Sequence, residues 1–151
     1  MKKLALTDFA KYRYPSALEL SPDSRYLTFA LKEVDREGDG YRWNLWLYDL
    51  ERRESRQITQ GDDQRKAVWE DNTHILYKTT EPDEALRARG FEEEWTVYHR
   101  LNVCTGEDRE AFRLPMSVSG LWKMDEGRYV FTGETHLDRP NLLELTGEAL
   151  E

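Results

Sequence analysis

Three segments of the 151-residue sequence share one pattern: an apolar run, a turn that contains an aspartate, and a second apolar run. The segments cover residues 18–29, 67–77 and 121–132. Their turn aspartates, Asp23, Asp71 and Asp125, are separated by 48 and 54 residues. A repeat of about 40 to 50 residues is typical of β-propellers, whose blades each contain four antiparallel strands. The repeat therefore predicts an all-β chain made of consecutive propeller blades.

The third strand of the first repeat is apolar on both faces. Alternate residues place one apolar set on each side of the strand: Trp43, Leu45 and Leu47 on one, and Trp46, Tyr48 and Leu50 on the other. An antiparallel strand with one solvated face would be polar on that face. We therefore expect both faces of this sheet to be covered, as they are for a blade between two neighbours.

The same pattern predicts the boundaries of the blades. Residues 1–16 form a lead-in, 17–63 the first blade, 64–116 the second blade and 117–151 an incomplete third blade. A short helix is expected at 83–89, in an insertion of the second blade, because helix-forming residues follow Pro82 and precede Gly90. Almost three blades cannot close a ring of about four to eight. The chain is therefore predicted to be part of a larger protein or to associate with another copy through its open blade edges.

Composition excludes several classes of partner. The formal net charge is −8, which argues against nucleic acid or an anionic membrane surface as a partner. The apolar start at residues 4–6 is too short for a signal peptide, and no apolar run of the sequence has membrane-spanning length. A single cysteine, Cys104, lies in a predicted turn and is expected to be an incidental thiol in a reducing compartment. The expected location is the cytoplasm.

Candidate catalytic and metal-binding residues lack the partners that their chemistry needs. Ser119 is not in a Gly-x-Ser-x-Gly elbow, because Val118 precedes it and no glycine stands two positions before, so it is predicted to be a turn residue before the third blade. The histidines are His74, His99 and His136. His74 and His99 are candidates for neighbouring positions in the second blade, but a metal site needs a third ligand. No catalytic, cofactor or metal site is predicted.

Two further features are predicted to be structural. Residues 35–40 resemble the start of a calcium loop, but the twelfth position, which must be glutamate, is Trp46. A solvated turn is the better interpretation. The tryptophans lie in predicted strands of all three repeats and are expected in the core. Trp69 and Trp122 are expected to occupy equivalent positions.

Several short motifs, in this order, resemble the N-terminal part of one enzyme family. They are found at 8–13, 15–16, 21–23, 44–49, 57–63, 94–98 and 115–119. Together they cover essentially the whole chain and resemble bacterial prolyl oligopeptidase-family serine peptidases of the acylaminoacyl-peptidase-like subgroup. The resemblance implies a parent enzyme in which an N-terminal propeller admits short peptides to a C-terminal α/β-hydrolase domain. That domain carries the Ser-Asp-His triad. This sequence contains neither the elbow nor the catalytic half, so no catalytic residue is transferred to it.

The resemblance leaves one possible contact with substrate and two hypotheses for function. Dipeptidyl peptidases of the wider superfamily hold a substrate's amino group with a pair of propeller glutamates, and Glu92, Glu93 and Glu94 offer similar chemistry in a different blade. A solvated loop is the favoured interpretation. The first hypothesis is a non-catalytic propeller segment that gates a peptidase, with the hydrolase domain and short peptides as its partners. The alternative is a stand-alone, self-assembling binding module.

Overall fold

A computed structural model describes residues 8, 11–35, 38–88, 94–125 and 127–134. These residues form three antiparallel sheets. Sheet 1 contains β1 (Tyr14–Leu20), β2 (Tyr26–Asp35), β3 (Gly40–Asp49) and β4 (Glu54–Gln57) in sequence order. Sheet 2 contains β5 (Ala67–Trp69), β6 (His74–Pro82), β7 (Glu94–Asn102) and β8 (Asp108–Leu114), again in sequence order. β9 (Ser117–Lys123) and β10 (Tyr129–Glu134) form a hairpin.

The prediction of an all-β chain with antiparallel sheets is confirmed. The helical content of the described residues is small; α1 (Glu84–Arg87) lies between β6 and β7, within the segment where a helix was expected. The described sheets form neither a closed barrel nor a closed propeller ring. Residues 135–151 of the expected third blade lie outside the described part of the chain. No helix among the described residues is long and apolar enough to cross a membrane.

The turn aspartates of the first two repeats close the first hairpin of each sheet. In sheet 1, Asp23 Oδ1 accepts hydrogen bonds from Ser21 Oγ at 2.6 Å and from the Arg25 main-chain N–H at 3.1 Å. In sheet 2, Asp71 Oδ1 accepts from the main-chain N–H groups of Thr73 at 2.7 Å and His74 at 2.8 Å. A short aspartate side chain stabilises such turns because it can reach N–H groups two or three residues ahead. The repeated aspartate therefore has a structural cause.

Sheet 2 packs between sheet 1 and the hairpin. Ile75 and Tyr77 of β6 belong to the core shared with sheet 1, where they lie with Leu45 and Leu47 of β3. The intervening residue, Leu76, belongs to a second core shared with the hairpin. Successive side chains of a strand point to opposite faces. Burial on both faces therefore explains why the strands of sheet 2 carry apolar residues at consecutive positions.

The two faces of sheet 1 are buried to different extents. Leu45 and Leu47 are buried against sheet 2, whereas Trp46 and Tyr48, on the opposite face, are half-buried. Leu50, which was expected to continue that face, follows β3 and is exposed. Leu31 and Asn44, which pair on that opposite face, are buried, so the second face is partly covered. Coverage depends on a neighbouring sheet, and the described part of the chain places a sheet on one side alone.

Trp69 and Trp122 are not equivalent, contrary to the sequence-based expectation. Trp69 is 8% exposed, and Trp122 is 48% exposed. The main-chain hydrogen bond that closes each turn starts at Glu70 in sheet 2 and at Met124 in the hairpin. Met124 therefore matches Glu70, and Trp122 matches Val68. An offset of one residue places a side chain on the opposite face of a sheet, which leaves Trp122 on the outer face of the hairpin.

The first strands of the three sheets lie side by side. β1 lies against β5, and β5 lies against β9. Two hydrogen bonds join these strands: Trp69 Nε1 donates to the main-chain oxygen of Glu19 at 3.1 Å, and Lys123 Nζ donates to that of Glu70. The sheets are thus joined along the edge formed by their first strands as well as through their faces.

Candidate functional site

Ser119 lies in β9, so its predicted location in a turn is wrong. Val118 pairs with Gly133 and Gly120 pairs with Thr132, which leaves Ser119 as an extra residue in a β-bulge. Its Oγ donates to the main-chain oxygen of Thr132 at 3.1 Å. A bulge lets a strand accommodate one additional residue without ending. The hydroxyl of Ser119 therefore helps to hold the hairpin together.

His74 and His99 lie in β6 and β7, as the sequence predicted, but they are not neighbours. The register pairs His74 with Asn102 and His99 with Tyr77, so the two histidines are three positions apart and on opposite faces. His74 Nδ1 lies 2.9 Å from an oxygen of Asp71. His99 stacks on Tyr77 at 5.2 Å between ring centroids. Among the residues that the structure describes, no three metal-binding side chains come together.

The remaining candidate residues are partly or wholly outside the described residues. His136, Glu92 and Glu93 are outside them. Glu94 begins β7 and is exposed. The segment compared with a calcium loop connects β2 to β3, with residues 36 and 37 outside the described part. The segment therefore joins two consecutive strands, as expected for a turn.

A cavity of about 370 Å³ lies where the first turns and β4 of sheet 1 meet the turn between β7 and β8. We call it the arginine groove, because three guanidinium groups line it: Arg25, Arg52 and Arg56. Asp49 and Glu54 also line the groove. Together these side chains carry three positive and two negative charges. Glu51 brings a third carboxylate to this cluster, with its Oε2 at 3.4 Å from Arg25 Nη2.

The carboxylate of Asp49 is held by the main chain of the turn after β3. Its Oδ1 accepts hydrogen bonds from the N–H groups of Glu51 at 2.9 Å and Arg52 at 3.0 Å. The bond from Arg52 is the main reason that the pKa of Asp49 lies below its usual value. The guanidinium groups of Arg25 and Arg52 each lie 3.9 Å from Asp49 Oδ2. These distances are too long for hydrogen bonds, so the two cations are attracted to the carboxylate without being saturated by it.

The floor of the arginine groove is apolar and joins the two sheets. It contains the ring of Tyr26 and the buried side chains of Leu47 and Val103. Tyr26 Oη lies 3.8 Å from the sulfur of Cys104. Burial and then the contact with Cys104 raise the pKa of the Tyr26 hydroxyl. Arg56 Nη2 donates to the main-chain oxygen of Val103, which fixes β4 to the turn of sheet 2.

One donor of Arg25 has no acceptor among the described residues. Arg25 Nε is buried, and no atom of the described residues accepts its hydrogen bond. A guanidinium group stays protonated at all physiological pH values and donates hydrogen bonds only, so it does not act as a proton acceptor. The guanidinium groups of the groove can therefore donate hydrogen bonds but cannot take up a proton.

Sequence reasoning identified Cys104 as a turn residue but did not identify the arginine groove. Cys104 is exposed in the turn after β7, as predicted. The run Glu51 to Arg56, with three arginines in six residues, was the only local pattern that pointed to the groove. Because its other residues come from 25–26, 47–49 and 103–104, their proximity depends on how the sheets pack.

No protein-family model matches the sequence, and no curated protein matches it. Among solved structures, the acylaminoacyl peptidase of Pyrococcus horikoshii is similar to this chain, with a TM-score of 0.43 and 15% sequence identity. The alignment covers 76% of this chain and 27% of the peptidase chain.

Proposed function

We propose that this chain is a segment of the β-propeller of a prolyl oligopeptidase-family serine peptidase of the acylaminoacyl-peptidase-like kind. In the complete cytoplasmic protein, the segment limits the access of peptides to a C-terminal α/β-hydrolase domain and docks against that domain. The order of the motifs at 8–23, 44–63 and 94–119 supports the family. The arrangement of the sheets supports the propeller.

The observation that carries the proposal is the contact between the first strands of consecutive sheets. A propeller arranges its blades around a central channel, so the same strand of each blade lies on that axis. β1, β5 and β9 are neighbours in this order, as such an arrangement requires. Sheet 1 is then the first blade, sheet 2 the second, and the hairpin the first half of the third.

The role of the segment in this proposal is non-catalytic. Among the described residues, Ser119 is bonded within the hairpin, and the two histidines lie on opposite faces of sheet 2. A nucleophile needs a base within hydrogen-bond reach. The segment therefore acts by shape: a ring of blades excludes large or folded substrates and admits short peptides.

The test uses the protein expressed from the complete gene. A fluorophosphonate probe should label a serine outside residues 1–151, and acylated peptides should be cleaved more slowly as their length increases. Opening the contact between the first two sheets with Trp69→Ala should relax this length dependence while fluorophosphonate labelling continues. Absence of labelling, or cleavage that does not depend on length in the unaltered protein, would contradict the proposal.

Exposed apolar residues on the outer faces favour a second candidate function, a self-assembling binding module. Trp122 and Val130 are exposed on the outer face of the hairpin, and Leu18 and Leu20 are exposed on β1. Two copies could cover these residues by placing their sheets in one ring. Light scattering of the 1–151 chain across concentrations separates the candidates. A discrete dimer favours the module, whereas a monomer or polydisperse aggregate favours the segment of a larger peptidase.

A further inference from the structure

We propose that one end of sheet 1 binds the carboxyl-terminal residue of a short peptide, with a lysine for the carboxylate and aromatic rings for an apolar side chain. The surface consists of Tyr14, Lys32, Tyr41 and Trp43, and we call it the aromatic patch. The proposal does not depend on the relation to peptidases, since it uses only the residues of this surface.

The strand register places the aromatic patch on one face of sheet 1. Tyr14 pairs with Lys32 and Lys32 with Trp43, so the three side chains form one row across β1, β2 and β3. Tyr41 lies on the same face, two residues before Trp43. Leu45, two residues after Trp43, belongs to the core shared with sheet 2. The patch therefore lies at the end of that core, and its two tyrosines are about half exposed.

The rings hold the ammonium group of Lys32 in place. Lys32 Nζ lies 3.6 Å from the centroid of the Tyr41 ring and 5.2 Å from that of the Trp43 ring. The two rings are tilted by 57°, with their centroids 5.9 Å apart. An aromatic face attracts a cation, and the N–H groups that point away from the ring stay available as donors. Lys32 is thus positioned without being neutralised.

No carboxylate among the described residues forms an ion pair with Lys32. The acidic residues that follow it in β2, Glu33 and Asp35, lie on the opposite face of the strand. Each has an arginine beside it: Arg13 Nε lies 2.7 Å from Glu33, and Arg42 Nε lies 4.0 Å from Asp35. These carboxylates therefore serve the other face of sheet 1.

Asp63 lies beside the aromatic patch but already has a partner. It forms an isolated bridge with Trp43, and its Oδ1 lies 2.7 Å from Arg65 Nε. The guanidinium group of Arg65 in turn lies 4.1 Å from the centroid of the Trp43 ring. Since this ion pair is neutral, the patch keeps the single positive charge of Lys32.

Charge and ring surface together determine the chemistry of the partner. One unpaired ammonium group matches one carboxylate, and the net charge of −8 of the chain disfavours a ligand with several negative charges. Tyrosine and tryptophan are common at binding surfaces because their rings bury a large apolar area. In the last residue of a peptide, the carboxylate and the side chain are on the same carbon atom, so an apolar side chain can lie on the rings while the carboxylate accepts from Lys32. An aspartate or glutamate within a peptide offers the carboxylate without that apolar side chain.

The test follows the main-chain amide signals of Tyr41 and Trp43 in the 1–151 chain by nuclear magnetic resonance. The chain is titrated at constant ionic strength with N-acetyl-alanyl-phenylalanine, with its carboxyl-terminal amide, or with N-acetyl-alanyl-glycine. We expect the free acid to shift these signals with saturation. The amide should bind about tenfold more weakly, because it lacks the charge-assisted hydrogen bond to Lys32. The glycine peptide should also bind more weakly than the free acid, because it lacks the aromatic side chain.

Lys32→Gln should bind the acid and the amide equally, and Lys66→Gln should keep the preference for the acid. Lys66 is a matched control because its ammonium group also lies near a tryptophan ring, that of Trp122 at 5.7 Å, but has a carboxylate beside it, that of Glu19 at 3.9 Å. Tyr41→Ala should weaken the binding of both phenylalanine peptides, and circular dichroism would verify that each variant is folded. Equal affinities of the acid and the amide in the unaltered chain, shifts that do not saturate, or a preference for the acid in folded Lys32→Gln would overturn the proposal.

Discussion

Trp69→Ala is expected to be the most destabilising single change at the junction of sheets 1 and 2. The indole is 8% exposed and belongs to the core that joins the two sheets. Its ring stacks on that of Tyr26, with the centroids 6.5 Å apart. Replacing a buried tryptophan by alanine removes this contact area and leaves a cavity, which costs about 3 to 5 kcal/mol.

The lost hydrogen bond adds little to this cost. The indole Nε1 donates to the main-chain oxygen of Glu19 at 3.1 Å. That oxygen also accepts from Thr28 Oγ1 at 3.2 Å, so it keeps a partner after the substitution. Only an acceptor left without a partner would add the full desolvation penalty. The cavity therefore accounts for most of the expected effect.

Urea unfolding followed by far-ultraviolet circular dichroism measures the effect. With a slope of about 1.5 kcal/mol per M, the unfolding midpoint should fall by about 2 to 3 M. Trp122→Ala is the matched control, because Trp122 also lies in the first strand of its sheet but is 48% exposed. Its midpoint should change by less than about 0.5 M, since exposed substitutions usually cost little.

Equal effects of the two substitutions would refute the reasoning. That result would mean that the two tryptophans occupy equivalent positions and that the one-residue offset is wrong. A loss below about 1 kcal/mol for Trp69→Ala would likewise contradict a core between the two sheets.

Three further predictions concern a buried ion pair, alkaline pH and a turn. Glu70→Gln should lower the free energy of unfolding by about 1 to 3 kcal/mol in the same urea assay, because the buried carboxylate accepts hydrogen bonds from an arginine and a tyrosine. Glu110→Gln, in an exposed ion pair, is the control and should change it by less than about 0.5 kcal/mol. Burial raises the pKa of Tyr98 and Tyr129 to about 12, so the stability that their neutral phenols contribute below pH 10 should be lost between about pH 10 and 12. Replacing both tyrosines by phenylalanine should reduce that loss in urea titrations across this pH range. Gly106→Ala should lower the thermal unfolding midpoint through a cost of about 1 kcal/mol, because φ is +79° there and no neighbouring atom blocks the added methyl group; an unchanged midpoint would exclude backbone strain at this turn.

Turns and strand positions were predictable from the sequence because they depend on short-range interactions. Asp23 and Asp71 bond N–H groups within three residues, so each turn can be recognised from a few letters. The consecutive apolar residues of β6 likewise predict burial on both faces. The antiparallel sheets follow from these two patterns together.

Features that depend on register or on contact between sheets could not be predicted. Trp122 is the exception, because the spacing of 54 residues between Asp71 and Asp125 already matches it to Val68, and its expected equivalence to Trp69 disagreed with that spacing. Ser119 was placed in a turn because a bulge leaves no mark in the pattern of apolar residues. Trp46 was expected to be covered, but its exposure depends on a neighbouring sheet.

The candidate site could not be predicted from the sequence for the same reason. Arg25, Arg56 and Cys104 lie in three separate segments, and only the packing of sheet 1 against the turn of sheet 2 brings them together. No spacing rule in the sequence could have joined them. The unsatisfied Nε of Arg25 is visible only once its surroundings are known.

Distances between spin labels test the propeller arrangement most directly. In a Cys104→Ser background, one label pair would report on the first strands, at residue 18 in β1 and at residue 66 directly before β5, and another on the outer strands, at residues 54 and 109. Blades that radiate from a central channel place their outer strands farther apart than their first strands. The account therefore predicts that double electron–electron resonance will give a clearly longer distance for the outer pair than for the pair at the first strands. Equal distances, as expected for two sheets packed at a uniform separation of about 10 Å, would contradict it.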